Sequence, residues 1–591
     1  MRRGKRIAAL LLCMILMFSF SGNMMAAEKS LLDFWNEKTA GNSGGDKGQN
    51  QYNTTVQLTE EDILRMNDGD ADFLYSEDGY LTFLRGKYYE GKVTDPETGI
   101  TSLFGIADLL GLSKGSEFFA VFGERDKRGY TYFTYKQRYG DLTLENAVLK
   151  IIVDPEGYTA GVVSSFTPNV GIAEKEESAI TAEEAEKIVQ EAYPEYEFRV
   201  YSEHTRQTSV TIMGVAYHAW AVFTNAPQEA SPSESFGYLE HLVAYDGSYL
   251  TYLAVSSPEE LVLGDDAQQA EALSAFDGLV SETVSKTVIL HDGTEKMITV
   301  PLARDPVSGI RYVADLERHI MLADYYFFNY LGQFVPMVWD ETNREQDPYL
   351  LAYESYRKVY DFYKFYGLES VDGFGAPILL LTDYCDSRGE PENNACYMGM
   401  YRGWAIFAAS SVNDYGECVD VSAHEFTHGV TTNTIGGNLY ENASGAVNEG
   451  LSDIMGNLCE MILGETGDTS WLIAENSGTS IRSLSSPEDF GQPTQIDGYY
   501  YQKETEQPSM ENDYGGVHRN SSLISHTAWK LCSEGMPLEE AFYLWRETVS
   551  MLTPKSGYQE VHEALIFTAK IRNMEERWIT MIDEICRNAG Y

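Results

Sequence analysis

The sequence predicts an α+β protein in which a strand-rich N-terminal part precedes a mainly helical C-terminal part. From about residue 70 to residue 170, apolar and polar residues alternate between turn signals, as expected for half-buried strands. After residue 417 the pattern becomes mostly helical. Hydrophobic residues make up 43% and aromatic residues 13% of the 591-residue chain, with 40 Tyr. This is the composition of packed, folded domains.

The strand signals of the first region are bounded by short turns. Residues 131–139 and 142–153 flank a Gly140-Asp141 turn, which predicts a hairpin. The segment Asp154-Pro155-Glu156-Gly157 then turns the chain into a further strand over 158–166. This region is therefore predicted to form an antiparallel sheet.

A smaller unit with one helix and a short sheet follows. Thr181 followed by Glu184 is the capping-box pattern, and it predicts a helix that continues to Ala192. Strand patterns follow around Val210, Ala219 and Leu242. The acidic stretch 261–284 is interpreted as a linker, and beyond it a hairpin is predicted around His291-Asp292-Gly293.

The first 27 residues have the pattern of a secretory signal. Basic residues at Arg2, Arg3, Lys5 and Arg6 precede an apolar run over 7–20, which is too short for a stable membrane span. No later run is long and apolar enough to span a bilayer. We therefore expect a secreted, extracellular protein without a membrane anchor.

The net charge excludes some partners. The chain carries 43 Lys and Arg against 90 Asp and Glu, which gives a formal charge of −47. Because nucleic-acid phosphates and anionic membrane surfaces carry the same sign, no nucleic-acid or membrane partner is expected. Six cysteines follow the leader without a Cys-x-x-Cys spacing, so a cysteine-based zinc site is not expected either.

The strongest functional signal is the segment His424-Glu425-Phe426-Thr427-His428. On a helix, His424 and His428 lie one turn apart on the same face, where two imidazoles can bind one Zn²⁺. Glu425 lies beside them and can reach a water molecule on the metal. The flanking apolar positions that favour a helix are Val419, Val421, Ala423, Phe426 and Val430.

A second helical segment begins near Ser444. It carries Glu449 as a candidate third zinc ligand, which leaves a fourth position for water. Asp453 lies on the same helix face, and Asp453 and Asn448 are candidate acceptors for the ring N–H groups of metal-bound histidines. The alternative, a solvated acidic helix face, does not explain this cluster so close behind the two histidines.

Together these segments resemble the thermolysin family of secreted zinc endopeptidases (the gluzincins). Three further blocks keep the family's order and approximate spacing: Tyr514-Gly515-Gly516-Val517-His518, Ser480-Ile481-Arg482-Ser483 and Asn393-Asn394-Ala395. The resemblance covers about residues 285–591. It implies a two-lobed zincin catalytic domain, with a β-rich N-terminal lobe over 285–420 and a mainly α-helical C-terminal lobe over 421–591.

The layout upstream is similar to a precursor of this family. It implies a signal peptide over 1–27, a thermolysin-type α+β propeptide over 28–175 and a PepSY-like propeptide module over 176–260. The linker over 261–284 would then contain the activation region.

The resemblance implies chemical roles for individual residues. His424, His428 and Glu449 would bind the catalytic zinc, and Glu425 would act as general base. His518 and Tyr440 match the family's hydrogen-bond donors to the oxyanion, and Asp513 matches the carboxylate that orients this histidine. Tyr440 lies one residue further from His428 than in the family, a shift that Gly436-Gly437 would absorb.

Other positions match substrate-binding residues. Arg482 matches the arginine that binds a substrate carbonyl beyond the cleaved bond. Asn394 and Ala395 would lie on an edge strand that pairs with extended substrate. Apolar positions of the specificity pocket match Val421, Ile473 and Ile481. They imply a preference for cleavage before a bulky apolar residue.

A calcium site is one of two readings of three carboxylates. Asp420, Glu460 and Glu475 match the family's principal Ca²⁺ site, but Ser470 and Leu472 replace two acidic ligands. A double site is therefore not expected. The positions form either a single site or a group of solvated carboxylates.

The leading hypothesis is a monomeric zinc endopeptidase that acts on protein or peptide substrates. Its own propeptide would serve as intramolecular chaperone and inhibitor. In the alternative hypothesis the peptidase is a catalytically silent scaffold, and the propeptide and PepSY-like region form a binding or inhibitory module. A degenerate site would favour this alternative, yet the ligands, Glu425 and His518 are all present. A gluzincin aminopeptidase would need a Gly-x-Met-Glu-Asn type motif, which the sequence lacks.

Overall fold

A computed structural model describes residues 56–591 with short gaps. The gaps are 77–78, 113–115, 126–127, 140–141, 166–170, 173–179, 193–198, 213–214, 226–237, 256–265, 326–333, 385–393, 410–414, 436–439, 465–469, 506–507 and 510–511. The predicted signal peptide, the Gly140-Asp141 turn, Asn393 and Gly436-Gly437 lie outside the described residues. Among the described helices, none is long and apolar enough to cross a bilayer.

The first region forms a six-stranded antiparallel sheet in the order β1-β2-β6-β5-β4-β3. Its strands are β1 (Asp72–Tyr75), β2 (Leu81–Arg85), β3 (Ser116–Arg125), β4 (Thr131–Tyr139), β5 (Leu142–Val153) and β6 (Thr159–Ser164). The hairpin predicted from residues 131–153 is confirmed as β4 and β5, which pair antiparallel. One face of the sheet packs against three short helices, α1 (Glu60–Met66), α2 (Pro96–Leu103) and α3 (Ala107–Leu110).

The next unit is a small sheet with one helix. The helix α4 (Ala182–Ala192) begins at the predicted capping box, in which Glu184 N donates to Thr181 Oγ1 and Thr181 N donates to Glu184 Oε2. The strands are β7 (Gly171–Ile172), β8 (Arg206–Ile212), β9 (Val215–Asn225), β10 (Tyr238–Ala244) and β11 (Tyr249–Val255). Apolar side chains of α4 pack on β9 and β10, as the sequence predicts for a helix on a short sheet.

The predicted linker over 261–284 contains a helix, α5 (Asp266–Leu273), and the start of a strand, and the β-rich lobe has two sheets. The first sheet has three strands, β12 (Val280–Ile289), β13 (Glu295–Arg304) and β14 (Arg311–Tyr312), and the predicted turn at Gly293 joins β12 to β13. The second has the order β15-β16-β17-β19-β18. Its strands are β15 (Ala314–Asp315), β16 (Ile320–Asp324), β17 (Ile378–Thr382), β18 (Ala395–Tyr401) and β19 (Trp404–Ala409). A long helix, α6 (Asp347–Phe365), buries a row of aromatic side chains between the lobes.

The C-terminal lobe is mainly helical. Its helices are α7 (Val419–Ile435), α8 (Asn442–Leu463), α9 (Asp513–Asn520), α10 (Ser522–Ser533), α11 (Leu538–Val549), α12 (Tyr558–Ile571) and α13 (Glu576–Ala589). Two short strands, β20 (Leu472–Ile473) and β21 (Arg482–Ser483), pair beside α8. The predicted arrangement of a β-rich lobe followed by an α-helical lobe is therefore present.

The first sheet shares a hydrophobic core with the helical lobe. Its apolar residues Phe83, Tyr132, Ile152 and Val163 belong to the same buried cluster as the side chains of α7, α8, α11 and α12. The opposite face of the sheet has its own core with α1 to α3. The upstream region is therefore packed onto the helical lobe and is not a detached unit.

Candidate active site

The helices α7 and α8 bring three candidate zinc ligands together. His424 Nε2 and His428 Nε2, one turn apart on α7, lie 3.0 Å from each other. Glu449, on α8, places Oε2 3.5 Å from His424 Nε2 and Oε1 3.4 Å from His428 Nε2. With bonds of about 2.1 Å, the ligand atoms of a tetrahedral zinc lie about 3.4 Å from one another. Both the spacing and the two-histidine, one-carboxylate donor set fit a catalytic zinc with one open position.

A glycine allows the two helices to approach closely enough. A Cβ atom on Gly456 of α8 would lie 2.6 Å from the carbonyl oxygen of Asp420 on α7, which real Cβ contacts do not reach. The α7 helix is buried almost completely, so its polar ligands are held away from solvent. Close packing of α7 on α8 thereby fixes the position of Glu449 relative to the two histidines.

The second ring nitrogen of each histidine faces a polar side chain. His424 Nδ1 lies 2.9 Å from Asp453 Oδ1, and His428 Nδ1 lies 3.2 Å from Asn448 Oδ1. In a metal-bound site such contacts would fix the ring orientation and leave Nε2 of each ring to bind the metal. Asp453 and Asn448 are the two candidate acceptors in the sequence, which does not say which histidine each one meets. Ser452 Oγ, to which the sequence assigns no role, lies 3.2 Å from the same His428 nitrogen.

Burial and charge act on the ionisable groups here in opposite directions. Burial lowers the pKa of His424, but Asp453 and Glu449 outweigh it and raise the pKa to about 10. Burial is the main cause that lowers the pKa of His428 to about 4. Burial alone would raise the pKa of Glu449, yet the nearby histidines hold it well below its usual range. Glu449 is therefore ionised, as a metal ligand must be.

Glu425 is held against the edge strand of the β-rich lobe. Its Oε2 accepts a hydrogen bond of 2.7 Å from the backbone N–H of Tyr397 in β18. Burial raises the pKa of the Glu425 carboxyl to about 7. A group with such a pKa can accept and return a proton near neutral pH. Tyr397 was not predicted as a site residue, because a backbone donor leaves no signal in a side-chain pattern.

His518, Tyr440 and Asp513 converge on the same side of Glu449. The Tyr440 hydroxyl donates to Glu449 Oε1 and lies 3.2 Å from His518 Nε2. His518 Nδ1 lies 2.6 Å from Asp513 Oδ1, while Asp513 Oδ2 accepts from the backbone N–H of His518. Burial lowers the pKa of His518, but Glu449 and Asp513 raise it to about 9. The imidazolium form can donate from Nε2 toward the ligand cluster.

A left-handed turn just before His518 places its side chain beside Glu449. Asp513, Tyr514, Gly515 and Gly516 all have positive φ, from 47° to 92°. A Cβ on Gly515 would lie 1.9 Å from Asn442 Oδ1, so no larger residue fits there. Non-glycine residues in this conformation are strained, and such strain persists where the surroundings enforce it. Glycine is therefore favoured at positions 515 and 516 by the positive φ angles and, at 515, by the close approach of Asn442.

The predicted substrate-binding residues lie on two elements, with Arg482 in β21 and Asn394 and Ala395 at the start of β18. Arg482 donates from Nε and Nη2 to Asp453 Oδ1, at 3.1 and 2.8 Å. Asp453 is also the residue that faces His424 Nδ1, so the guanidinium is held close to the zinc ligands. Asn394 immediately precedes β18, and Ala395 begins it; both are half-buried. Because β18 is an outer strand of its sheet, an extended peptide can align with it.

The three predicted pocket residues differ in exposure. Val421 and Ile473 are buried, whereas Ile481 is 38% exposed. Ile481 N donates to Ile473 O at 3.0 Å, next to the β20–β21 pair, so the two residues are neighbours. The structure thus places an apolar side chain at the surface next to Arg482.

The three predicted calcium carboxylates also lie together. One oxygen from each of Asp420, Glu460 and Glu475 falls within 4.8 Å of the others. Asp420 is fully buried, and its Oδ1 has no hydrogen-bond partner among the described residues. Burial raises the pKa of Asp420 to about 6. Oxygen-only donors with a buried carboxylate fit a hard cation such as Ca²⁺, provided that other oxygens complete its coordination.

Comparison with known families agrees with this geometry. Residues 333–432 match the family described as thermolysin metallopeptidase, catalytic domain, and residues 437–581 match thermolysin metallopeptidase, alpha-helical domain. The helical match covers α8 to α12, and the catalytic match covers α6, α7 and the strands between them.

Three similar proteins are proteases by name. The neutral protease NprE of Bacillus pumilus is 33% identical over 234 residues, which are 39% of this chain and 72% of that protein. The extracellular elastase of Staphylococcus epidermidis is 25% identical over 461 residues, which are 75% of this chain and 81% of that protein. The thermolysin of Alicyclobacillus acidocaldarius is 24% identical over 493 residues, or 76% and 80% of the two chains.

One solved structure, the Bacillus megaterium YpeB C-terminal domain, covers 33% of this chain with 9% identity and a TM-score of 0.17, too low to support an argument about fold. The family matches and the α+β architecture with its helical C-terminal lobe confirm the predicted fold class and the resemblance to the thermolysin family. They also confirm zinc as the metal that the site residues fit. The chain belongs to the thermolysin family of zinc metallopeptidases.

Proposed function

We propose that this protein is a secreted endopeptidase, made as a zymogen, that hydrolyses internal peptide bonds with Glu425 as general base. The observation that carries the proposal is the position of Glu425. Its carboxylate is buried, anchored by Tyr397 N at 2.7 Å, and adjacent in sequence to the first histidine of the zinc cluster. A catalytically silent scaffold does not require the three zinc ligands and Glu425 together at one site.

The proposed mechanism divides the chemistry among a few side chains. His424, His428 and Glu449 would hold the zinc, which would supply a Lewis acid that lowers the pKa of water and polarises a carbonyl group. Glu425 removes a proton from the attacking water and returns it to the leaving amine. Its pKa of about 7 allows both transfers near neutral pH.

The negative charge that develops on the carbonyl oxygen needs hydrogen-bond donors. His518 Nε2 and the Tyr440 hydroxyl lie 3.2 Å apart on one side of Glu449. The Tyr440 O–H donates to Glu449 Oε1 in this structure and would turn to the substrate oxygen in the reaction. We propose that they donate to the oxyanion of the tetrahedral intermediate. Asp513 orients His518 through its 2.6 Å contact with Nδ1, and Glu449 and Asp513 together raise the pKa of His518 to about 9.

Substrate would bind as an extended strand along β18. Asn394 and Ala395 would pair with its backbone, and Arg482 would bind the carbonyl beyond the cleaved bond. Arg482 is already held by Asp453, so little side-chain freedom is lost on binding. The apolar residues Val421, Ile473 and Ile481 favour a bulky apolar side chain after the bond.

A digest of casein tests this specificity directly. We expect that most new peptide N-termini, identified by mass spectrometry, are bulky apolar residues such as Leu, Ile or Phe. Treatment with a zinc chelator before the digest is expected to abolish cleavage, because the three ligands act through the metal. Cleavage that resists chelation, or sites that mainly follow basic residues, would contradict the proposal.

Maturation would remove the leader and the upstream region. In this proposal residues 1–27 direct secretion, 28–175 form the propeptide, 176–260 form the PepSY-like module and 261–284 contain the activation region. The peptidase over 285–591 would act as a monomer on protein or peptide substrates. The intact chain would be restrained by its own propeptide until cleavage.

We further propose a single Ca²⁺ at Asp420, Glu460 and Glu475 that stabilises the helical lobe. A cation that binds only the folded state raises the free energy of unfolding. A free calcium concentration of about 100 times Kd is therefore expected to raise the unfolding temperature by about 5 °C. The double substitution Glu460→Gln, Glu475→Gln is expected to remove this shift in a thermal melt.

Glu534 provides the control for this measurement, since it is exposed on the surface of the same lobe. Glu534→Gln is expected to keep the full calcium-dependent shift. An equal shift in the double variant would show that calcium does not bind at these carboxylates.

A further inference from the structure

The six-stranded sheet of the upstream region meets the helical lobe through a close apolar contact. The ring of Phe83 on β2 packs edge-on against Phe567 on α12, with centroids 4.7 Å apart. Gly161 on β6 makes the approach possible, because a Cβ there would lie 2.9 Å from the tip of the Phe567 ring. The surface of the sheet is therefore shaped to this face of the helical lobe.

Charged contacts surround this apolar centre. Lys570 Nζ donates to Asp72 Oδ2 at 2.9 Å, and Arg128 pairs with Glu547. Glu547 is buried and also accepts from Arg572 Nη1 at 2.7 Å. Since the upstream region and the peptidase contribute both signs, these pairs select one orientation of the sheet on the lobe.

One residue of the sheet reaches further, to the end of the zinc helix. Lys150 on β5 is 1% exposed, and its Nζ donates to the carbonyl oxygen of Thr434 at 2.9 Å and to that of Ser550 at 3.3 Å. Thr434 lies in the last turn of α7, and Ser550 is the C-cap residue of α11. The ammonium group thus meets the C-terminal ends of two helices at once.

Both ends are suited to a cation. The last four carbonyl groups of an α-helix have no partner within the helix, and the helix dipole concentrates partial negative charge there. Hydrogen bonds from a charged donor are stronger than neutral ones, and more so when water is excluded. The pairing therefore restrains the last turn of α7, six residues beyond the zinc ligand His428.

We propose that Lys150 is a positioning residue through which the propeptide holds the C-terminal end of the zinc helix. This inference rests on the proposed function in so far as residues 28–175 are taken as the propeptide. In this proposal the propeptide restrains the catalytic lobe at the C-terminal end of α7, through the hydrogen bond from Lys150 to Thr434 O. When the propeptide leaves, the carbonyls of Thr434 and Ser550 lose this donor, and the two helix ends are less restrained.

Hydrogen–deuterium exchange of the full-length chain tests the proposal. The chain carries Glu425→Gln so that it stays uncut, and the measurement does not depend on its being a peptidase. Lys150→Met removes the charge while keeping an unbranched side chain. We expect amide exchange in residues 431–435 and 547–551 to become at least about tenfold faster, in line with the loss of a charge-assisted contact.

Two matched variants separate charge from packing. Lys150→Arg keeps a cation and is expected to restore slow exchange in both segments. Lys187→Met removes an exposed lysine on α4, whose Nζ lies 3.4 Å from Glu191 Oε1 on the same helix, and is expected to change neither segment. Strand β17 reports the global fold and is expected to keep its protection in all variants.

Three results would overturn the proposal. The first is unchanged exchange at both helix ends in Lys150→Met. The second is failure of Lys150→Arg to restore protection there. The third is a loss of protection in β17 that equals the loss at the helix ends, which would show that Lys150 supports the whole core and does not act on the zinc helix in particular.

Discussion

Replacement of Glu425 by glutamine is expected to lower kcat for peptide hydrolysis by about 10²–10⁴-fold, the usual contribution of a positioned general base. Glutamine has nearly the same shape but cannot accept the proton of the attacking water. Its amide can still meet the Tyr397 backbone through its oxygen, so the packing between α7 and β18 should persist. The uncut precursor is also expected to accumulate if the chain processes itself.

Glu584 gives a matched control for this substitution. It is exposed on α13, far along the chain from the cluster, and Glu584→Gln is expected to keep the wild-type rate. Activity of Glu425→Gln within twofold of the wild-type enzyme would rule out the assigned role. Steady-state kinetics with a short fluorogenic peptide are sufficient to distinguish these results.

Replacement of His518 by alanine is expected to lower kcat by about 10²–10³-fold, the usual loss for one oxyanion donor. The effect should fall on kcat more than on KM, because the oxyanion forms only in the transition state. His518 Nε2 lies 3.6 Å from Glu449 Oε1, beside the cluster and outside the ligand set. Zinc binding should therefore be retained.

Asp513→Asn provides a graded comparison for His518. The amide keeps the size of the side chain but removes one of the two carboxylate charges, of Glu449 and Asp513, that raise the pKa of His518 to about 9. We expect a smaller loss of kcat than in His518→Ala, measured in the same assay. If His518→Ala raised KM alone, or left kcat unchanged, the histidine would be a substrate-binding residue and not an oxyanion donor.

Much of the metal centre could be predicted from local sequence. The spacing of His424 and His428 fixes both on one helix face, because an α-helix returns to the same face after four residues. Asp453 and Asn448 were predicted as acceptors for the histidine rings, and each lies within 3.2 Å of one of them. Helix periodicity carries this information without any knowledge of the tertiary fold.

Contacts made by the backbone or across long sequence distances could not be predicted. Tyr397 N reaches Glu425 from a strand of the other lobe, and only the packing of α7 on β18 reveals it. Lys150 meets carbonyls 284 and 400 residues away. A lysine in an alternating strand pattern normally predicts a solvent-exposed position, whereas here the tertiary contact buries it.

The strands of the upstream sheet illustrate both cases. The Gly140-Asp141 turn predicted the hairpin of β4 and β5, and Asp154-Pro155-Glu156-Gly157 predicted the turn from β5 into β6, because such residues favour tight reversals. The order in which β6 lies between β2 and β5 depends on pairing between distant segments, which alternation alone does not specify.

The central claim is that Glu425 performs the proton transfer at a site whose zinc is held by His424, His428 and Glu449. Zinc content and hydrolytic rate, determined on a single preparation of Glu425→Gln alongside the wild-type enzyme, test it most directly. The account predicts equal zinc content in the two proteins and a rate lower by about 10²–10⁴-fold in the variant. An undiminished rate, or a loss of zinc that parallels the loss of activity, would contradict it.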